Sequence, residues 1–373
     1  MPIVIQPYRR EHEPAVQEFN QRLKAAGAAP DLVFFRHAEP RWLPPAQSTD
    51  LYQEYFLATD NGVVRGGYAL KHQNFSFADG STRRVTYLHH PLSEGIVNKS
   101  YGVVGTLLLQ DAMRRSPLLY CLGMGGYARP LPRMLMTLGW AHCAVPFYFK
   151  VLRPSRFLRQ MQALRGSAGR RLLMDVAAFT GAGWAGVSAL QGLRRFRAPR
   201  VEPFTLEHVS EFSDWIDPLW QRGRSSYAMT AVRDCTALRL LYPASEAHLT
   251  RLRIRRNGQD IGWAVVGERR PDEKYGSLHV GSIVDCWPAS EDTLPVIRAA
   301  SETLEQAGMD LIVSNQSHQQ WGRALQNCGF LQANSNFIFA ASKNLSALLQ
   351  PFEQKQRRMH FTRADGDGLP RNF

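Results

Sequence analysis

The sequence predicts a mixed α/β chain of two similar domains, each a mostly antiparallel mixed sheet flanked by helices, joined by a helical linker. Three observations predict it. One pattern occurs twice: the apolar run 118–123 (LLYCLG) leads into a helix-like stretch ending Leu138-Gly139-Trp140, and 310–314 (DLIVS) into one ending Cys328-Gly329-Phe330. Each glycine–aromatic end then enters another apolar strand, 144–151 and 337–341, and such a repeat implies two domains of one fold. The chain is also long enough: 373 residues suffice for two cores, since domains usually hold about 100–200 residues. Its apolar and charged fractions, 44% and 21%, are those of a globular protein. The expected boundaries are 1–154, a linker over 155–200, and 201–373.

The elements follow in order. A strand at 3–8 precedes a helix at 11–25, in which Val16, Phe19 and Leu23 recur at spacings of three and four. After a proline-rich loop at 40–45, strands 55–59 and 63–72 flank Asp60-Asn61-Gly62, where Asn-Gly signals a hairpin. A turn at 78–80 leads to a strand at 84–89, a loop at 91–101, a helix at 103–115 and the strand 118–123. The second half reads similarly. Helical pieces at 207–220 and 232–241 precede strands 249–255 and 260–266, which flank another Asn-Gly pair, Asn257-Gly258. Then come a strand at 278–286, a helix at 293–307, a strand at 310–314, a helix at 319–328 and a strand at 336–341. Strands and helices mixed in this order give a mixed sheet.

Composition narrows the class. The five cysteines are scattered, odd in number and without a C-x-x-C spacing, which argues against a zinc cluster and for a reducing compartment. The start, MPIVIQPYRREHEP, has no apolar core followed by a cleavage site, so a cytoplasmic chain without a secretory signal is expected. The net charge of +13 is concentrated: residues 150–200 hold eleven Lys and Arg against one acid, Asp175. That block points to an anionic ligand or surface, not to a uniformly nucleic-acid-binding protein. Within it, residues 172–193 carry a single charge and are bracketed by arginines. An inter-domain helix, a helix lying on a membrane surface and a true span all fit that run.

The chemistry points to the loop before the helix at 103–115. Gly102 and Gly105 allow a tight turn and present amides without a Cβ in the way, while the helix start adds unpaired N–H donors and its positive dipole end. Lys99 adds a full charge. The whole arrangement of strand, loop, helix, strand, helix and Leu138-Gly139-Trp140 resembles the GNAT-type N-acyltransferases. In that family a basic-or-Gln-x-x-Gly-x-Gly/Ala loop binds the pyrophosphate of acetyl-CoA or another acyl-CoA. Lys99-Ser100-Tyr101-Gly102-Val103-Val104-Gly105 matches with lysine at the basic position and the second glycine one place late. The resemblance covers 3–150, and it implies an acyl-CoA co-substrate held by Lys99, Ser100, Tyr101, Gly102, Val103, Val104 and Gly105. It also implies that backbone N–H groups near Gly95, Ile96 and Val97 hold the thioester carbonyl. In the second half, 286–294 (CWPASEDTL) has no glycine, so that copy resembles a GNAT domain that has lost phosphate binding. Tandem arrangements with one working acyl-CoA site are known in that family and in its Fem-type relatives.

Acyl transfer to an amine requires a base, an oxyanion donor and an acid for the leaving thiolate. Residues 87–94 deliver His89, His90 and Glu94 as candidate bases; histidine accepts a proton near neutrality, whereas glutamate needs desolvation or a water. The family's acid is a tyrosine shortly before the glycine–aromatic pair, and 131–137 contains none, so Tyr127 or Tyr101 would have to reach the sulfur. Asp285, Ser314, Asn315, His318 and Trp321 at strand ends of the second half either contact an acceptor or stay structural. Asp365-Gly366-Asp367-Gly368 lacks the other ligands of an EF-hand and reads as a turn. The expected function is N-acyl transfer, acetyl or longer, to a small-molecule or carrier-linked amine, with an amino sugar of envelope polysaccharide as one acceptor. The basic block would allow peripheral contact with the inner membrane face. An aminoacyl-tRNA-dependent Fem-like transferase and a membrane-docked scaffold without activity are the alternatives. Against the first, the basic residues are not interleaved with aromatics.

Overall fold

A computed structural model describes residues 3–40, 43–45, 49–160, 189, 192, 199–269, 275–289 and 292–366. The run 172–193, with the span and surface-helix readings attached to it, lies outside these apart from two isolated positions. No described helix is long and apolar enough to cross a membrane.

The chain divides into two compact units: residues 1–75, 81–143 and 338–352 form the first, and 76–80, 144–337 and 353–373 the second. The first contains β1 (Val4–Pro7), α1 (Glu13–Ala25), β2 (Tyr52–Asp60), β3 (Val63–Phe77, ending in the second unit), β4 (Thr82–Ser93), α2 (Val104–Arg115), β5 (Leu119–Gly123), α3 (Pro130–Thr137) and β6 (Ala141–Ala144). Period-two alternation sorts the strand residues onto two faces. Phe56, Ala58, Tyr68, Leu70 and Leu88 pack with Val104, Leu108, Leu109 and Ala112 of α2 and with Leu135 of α3. Tyr55, Leu57, Val64, Ala69 and Leu92 pack instead with Val16, Phe19 and Leu23 of α1. These three α1 side chains are fully buried, each stabilising by roughly 1.5–3 kcal/mol.

The second unit contains β7 (Phe147–Val151), α4 (Pro154–Gln160), β8 (Thr205–Val209), α5 (Ile216–Gly223), β9 (Met229–Ala231), α6 (Cys235–Leu241), β10 (Leu249–Arg256), β11 (Gln259–Arg269), β12 (Val280–Pro288), α7 (Thr293–Gln306), β13 (Leu311–Asn315), α8 (Gln319–Asn327) and β14 (Leu331–Ala333). After β15 (Ile338–Ala341) and α9 (Lys343–Leu348), which belong to the first unit, the chain ends through α10 (Phe352–Lys355) and β16 (Met359–His360). Both Asn-Gly pairs form the expected hairpins, with positive φ at Asn61, Gly62, Asn257 and Gly258.

The sheets show one feature absent from the sequence reading. The first runs β1-β2-β3-β4-β5-β15-β6 and the second β14-β7-β13-β12-β11-β10-β8. Strand β7, from the first half of the chain, pairs antiparallel with β13 and β14; β15, from the second half, pairs antiparallel with β5. The halves have exchanged a strand. Boundaries drawn in chain order at 154 and 201 therefore do not coincide with the compact units. Pro146 helps set the crossover, because it cannot donate to a ladder and so separates β6 from β7. A second difference is local: residues 207–209, expected inside a helix, belong to the edge strand β8 against β10. Five alternating residues are too few to outweigh a helical reading of 207–220.

Candidate active site

β4 and β5 run parallel, with the register Thr86↔Leu119 and Tyr87↔Tyr120. Beyond that pair β4 continues to Ser93 and β5 to Gly123, so the strands flare into a wedge. β4 is longer than its sequence suggested, carrying Pro91 and passing the bend at His90, whose φ is +49°. Short 3-10 turns at Glu94–Ile96 and Lys99–Tyr101 then lead into α2 at the mouth of the wedge.

The amides of this loop are unequally free. The N–H groups of Gly95 and Ser100 donate to the Ser93 and Asn98 side chains. Those of Val97, Tyr101 and Gly102 donate to the carbonyls of Glu94, Asn98 and Lys99. Gly95 and Val97 thus spend their amides on local turns and do not lie on a strand. Ile96 N–H has no acceptor among the described residues, and its side chain is exposed. Three consecutive amides at the start of α2, those of Val103, Val104 and Gly105, likewise have no acceptor among the described residues. They are the donors a helix start leaves unsatisfied.

The glycines serve space more than conformation. Gly102 has an ordinary helical φ of −57°. A Cβ on Gly95 would lie 2.7 Å from the Tyr101 carbonyl oxygen, so this glycine closes the loop on itself. A Cβ on Gly105 would meet only the Ser93 Cβ, at 3.9 Å. Lys99 is exposed and without an ion-pair partner among the described residues. Tyr101 packs its ring under the Arg65 guanidinium, 4.1 Å from the ring centre.

The candidate bases occupy different settings. Glu94 is buried and clamped by Arg65 at 3.0 Å and Arg22 at 3.4 Å. Two guanidinium groups occupy the lone pairs a general base would use. His89 is buried between Tyr87, stacked at 5.4 Å, and Phe35, edge-on at 5.5 Å. His90 places Nε2 2.8 Å from the Val33 carbonyl oxygen. A carbonyl only accepts, so Nε2 carries a proton.

After β5 the chain turns through four residues of positive φ, Gly123, Met124, Gly125 and Gly126. Three glycines make this run accessible; Met124 is the strained member. The turn delivers Tyr127, 39% exposed, against His142 at 5.4 Å in a crevice also lined by Met124, Leu135, Trp140 and Ile338. Burial, then the neighbouring Cys143, pushes the Tyr127 phenol up from its usual value, so it stays protonated. His142 has a buried Nδ1 without a partner among the described residues. The sequence reading missed His142, and only its position two residues after Trp140 could have drawn attention to it.

In the second unit, Asp285, Ser314, Asn315, His318 and Trp321 are all buried. Asp285 pairs with Arg233 at 3.0 Å, Asn315 donates to the Pro146 carbonyl and Trp321 to the Tyr227 hydroxyl. Asp365 is the second carboxylate on Arg233, at 2.9 Å, and is buried among protein groups; 367–368 lie outside the described residues.

No family model matches the chain, and no curated protein matches it in sequence. Solved structures do match. Two crystal structures of Saccharomyces cerevisiae N-myristoyltransferase, one with myristoyl-CoA and inhibitors and one with myristoyl-CoA, align with TM-scores of 0.53 and 0.52 at 10% identity. They cover 92% of this chain and 80% and 79% of theirs. Eis1 from Mycobacterium abscessus aligns over 93% of this chain and 75% of its own, with a TM-score of 0.48 and 14% identity. The likeness to the yeast enzyme shows the fold alone: two GNAT-like domains.

Proposed function

We propose that the protein is an acyl-CoA-dependent N-acyltransferase whose donor site lies in the first unit. One observation carries this: three amides without an acceptor among the described residues, Val103 to Gly105, stand at the start of the helix that follows a flared parallel strand pair in a GNAT-like fold. They would hold the diphosphate of CoA with Lys99 beside them, as helix starts hold phosphates. The pantetheine would run into the wedge between β4 and β5. The yeast neighbours bind myristoyl-CoA, which supports an acyl-CoA donor in general.

In the reaction, a neutral amine nitrogen attacks the thioester carbonyl, a C–N bond forms and the C–S bond breaks. His90, held through Nε2 by the Val33 carbonyl, is the residue we assign to take the amine proton. Tyr127, kept protonated by burial, is assigned to give a proton to the departing thiolate. Glu94 positions Arg22 and Arg65 beneath the loop. The acceptor is an amine. The basic stretch 150–200, which suggested an envelope amino sugar, is mostly outside the described residues and adds no support to that choice. The aminoacyl-tRNA and scaffold readings have no observation in their favour among the described residues.

Titration calorimetry with acetyl-CoA tests the donor site. The wild-type protein should bind, and Lys99→Ala should weaken binding by about tenfold, the worth of one charge-assisted hydrogen bond. No binding by the wild-type protein would overturn the proposal.

A further inference from the structure

We infer that Tyr87 bars the inner end of the β4/β5 wedge and restricts the donor to short acyl groups; this rests on the donor site proposed above. Leu119 exchanges hydrogen bonds with Ser342, its N–H donating to Ser342 Oγ and its carbonyl accepting from Ser342 N–H. Its polar groups therefore face away from β4. Successive residues of a strand point their polar groups to opposite sides, so the carbonyls of 118, 120 and 122 face β4. Leu118 confirms the phase, accepting from Thr86 N–H at 2.9 Å.

The Leu122 carbonyl thus faces β4 at a level where the ladder has already ended. A buried carbonyl without a partner is costly. Tyr87 resolves this. Its hydroxyl donates to the Leu122 oxygen at 3.0 Å, crossing from one strand to the other. The ring is 3% exposed and lies between His89, at 5.4 Å on the mouth side, and Tyr120, at 5.2 Å. Beyond Tyr120, Phe75 and Phe339 follow at 5.7 and 5.9 Å, both fully buried.

An acyl group entering from the mouth between the flared strands meets this bar. An acetyl group ends short of it. A long chain must swing the phenol aside, leave the Leu122 carbonyl unpaired and break into a packed aromatic column. Tyr87 is thus a specificity-determining residue, set by the need to satisfy a backbone group that the wedge itself exposes.

The test is calorimetry on the full-length protein with CoA, acetyl-CoA and octanoyl-CoA, for wild type, Tyr87→Ala and Tyr87→Phe. The readout is the acetyl-to-octanoyl affinity ratio. Wild type should favour acetyl-CoA by about tenfold or more, the equivalent of one lost buried hydrogen bond. Tyr87→Ala should abolish or reverse the preference, and Tyr87→Phe, which keeps the ring but not the bond, should weaken it severalfold. Equal affinities in wild type, or a preference unchanged in both variants, would overturn the inference while CoA binding left the donor site standing. If Tyr87→Ala fails to fold, the wild-type ratio and Tyr87→Phe still decide it. Failure of CoA itself to bind would overturn both.

Discussion

The two halves of this chain build the same wedge and use it in opposite ways. In the first, the pairing of β4 with β5 ends at Tyr87, and the start of α2 carries three amides without an acceptor among the described residues. In the second, β12 and β13 pair in parallel from Val280↔Leu311 to Ser282↔Val313 and then part. That flare is occupied by the protein itself. Ser317, just past β13, exchanges hydrogen bonds with Phe361, while Thr362 donates to Asp285 on β12. Asp365 reaches the same network through Arg233. His360 fills the space between, stacked on Tyr227 at 5.0 Å and Trp321 at 5.8 Å. At the start of α7 stands Asp292, paired with Arg256. In the second unit the protein itself supplies partners to the groups that the flare exposes.

The largest expected effect lies in that filled wedge. Arg233 is 1% exposed and holds Asp285 and Asp365, 0% and 2% exposed. Removing one partner from a buried ion network typically costs about 3–5 kcal/mol, because the remaining charges stay uncompensated. Arg233→Met should therefore destabilise the protein by about that much in thermal or denaturant unfolding. Adding Asp285→Asn and Asp365→Asn should recover part of the loss. A near-neutral Arg233→Met would mean that the tail is not held by this network.

Acid should act on the same region next. Burial, then Arg358, pulls His318 down to about 4, and burial, then Arg233 and His318, pulls His360 well below its ordinary value. Both rings are neutral in the folded chain and take up protons more readily when it unfolds. Their contribution is present above about pH 6.5 and is lost as the pH falls from there through 4. From His318 alone the loss is roughly 3 kcal/mol. Unfolding midpoints between pH 7 and 4 check this, and a His318→Gln variant should flatten the dependence.

How much of this was legible in the sequence depends on which force sets each feature. Val16, Phe19 and Leu23 announced α1, and Asn61-Gly62 and Asn257-Gly258 their hairpins, because periodicity and turn chemistry are local. The start of α2 was legible for the same reason. Strand exchange was not. The apolar runs 144–151 and 337–341 look alike, and pattern says only that each is a strand, not which sheet edge receives it. Glu94 read as a base because its spacing put it at the cleft; its arginine clamp comes from Arg22 and Arg65, distant in sequence. His318 and Asp285 read as strand-end polar groups, yet the C-terminal tail that buries them carries no pattern tying it to β12.

The smallest expected effect is the sharpest discriminator between the wedges. Gly105→Glu places an acid in the first turn of α2, which has none. Its Cβ fits, meeting only Ser93 Cβ at 3.9 Å. The carboxylate would lie near the unpaired amides and the positive end of the helix dipole, stabilising by about 0.3–1 kcal/mol, with a further gain from replacing glycine in a helix. The same carboxylate would compete with a diphosphate for those donors and repel it. Stability should therefore rise slightly while affinity for CoA falls about tenfold or more, so thermal melts and calorimetry should move in opposite directions. The variant would give the start of α2 an acid, as Asp292 gives one to the start of α7 one or two positions earlier in the helix. If Gly105→Glu gained stability and kept its CoA affinity, the anion would sit elsewhere, and the difference between the two helix starts would have no bearing on ligand binding.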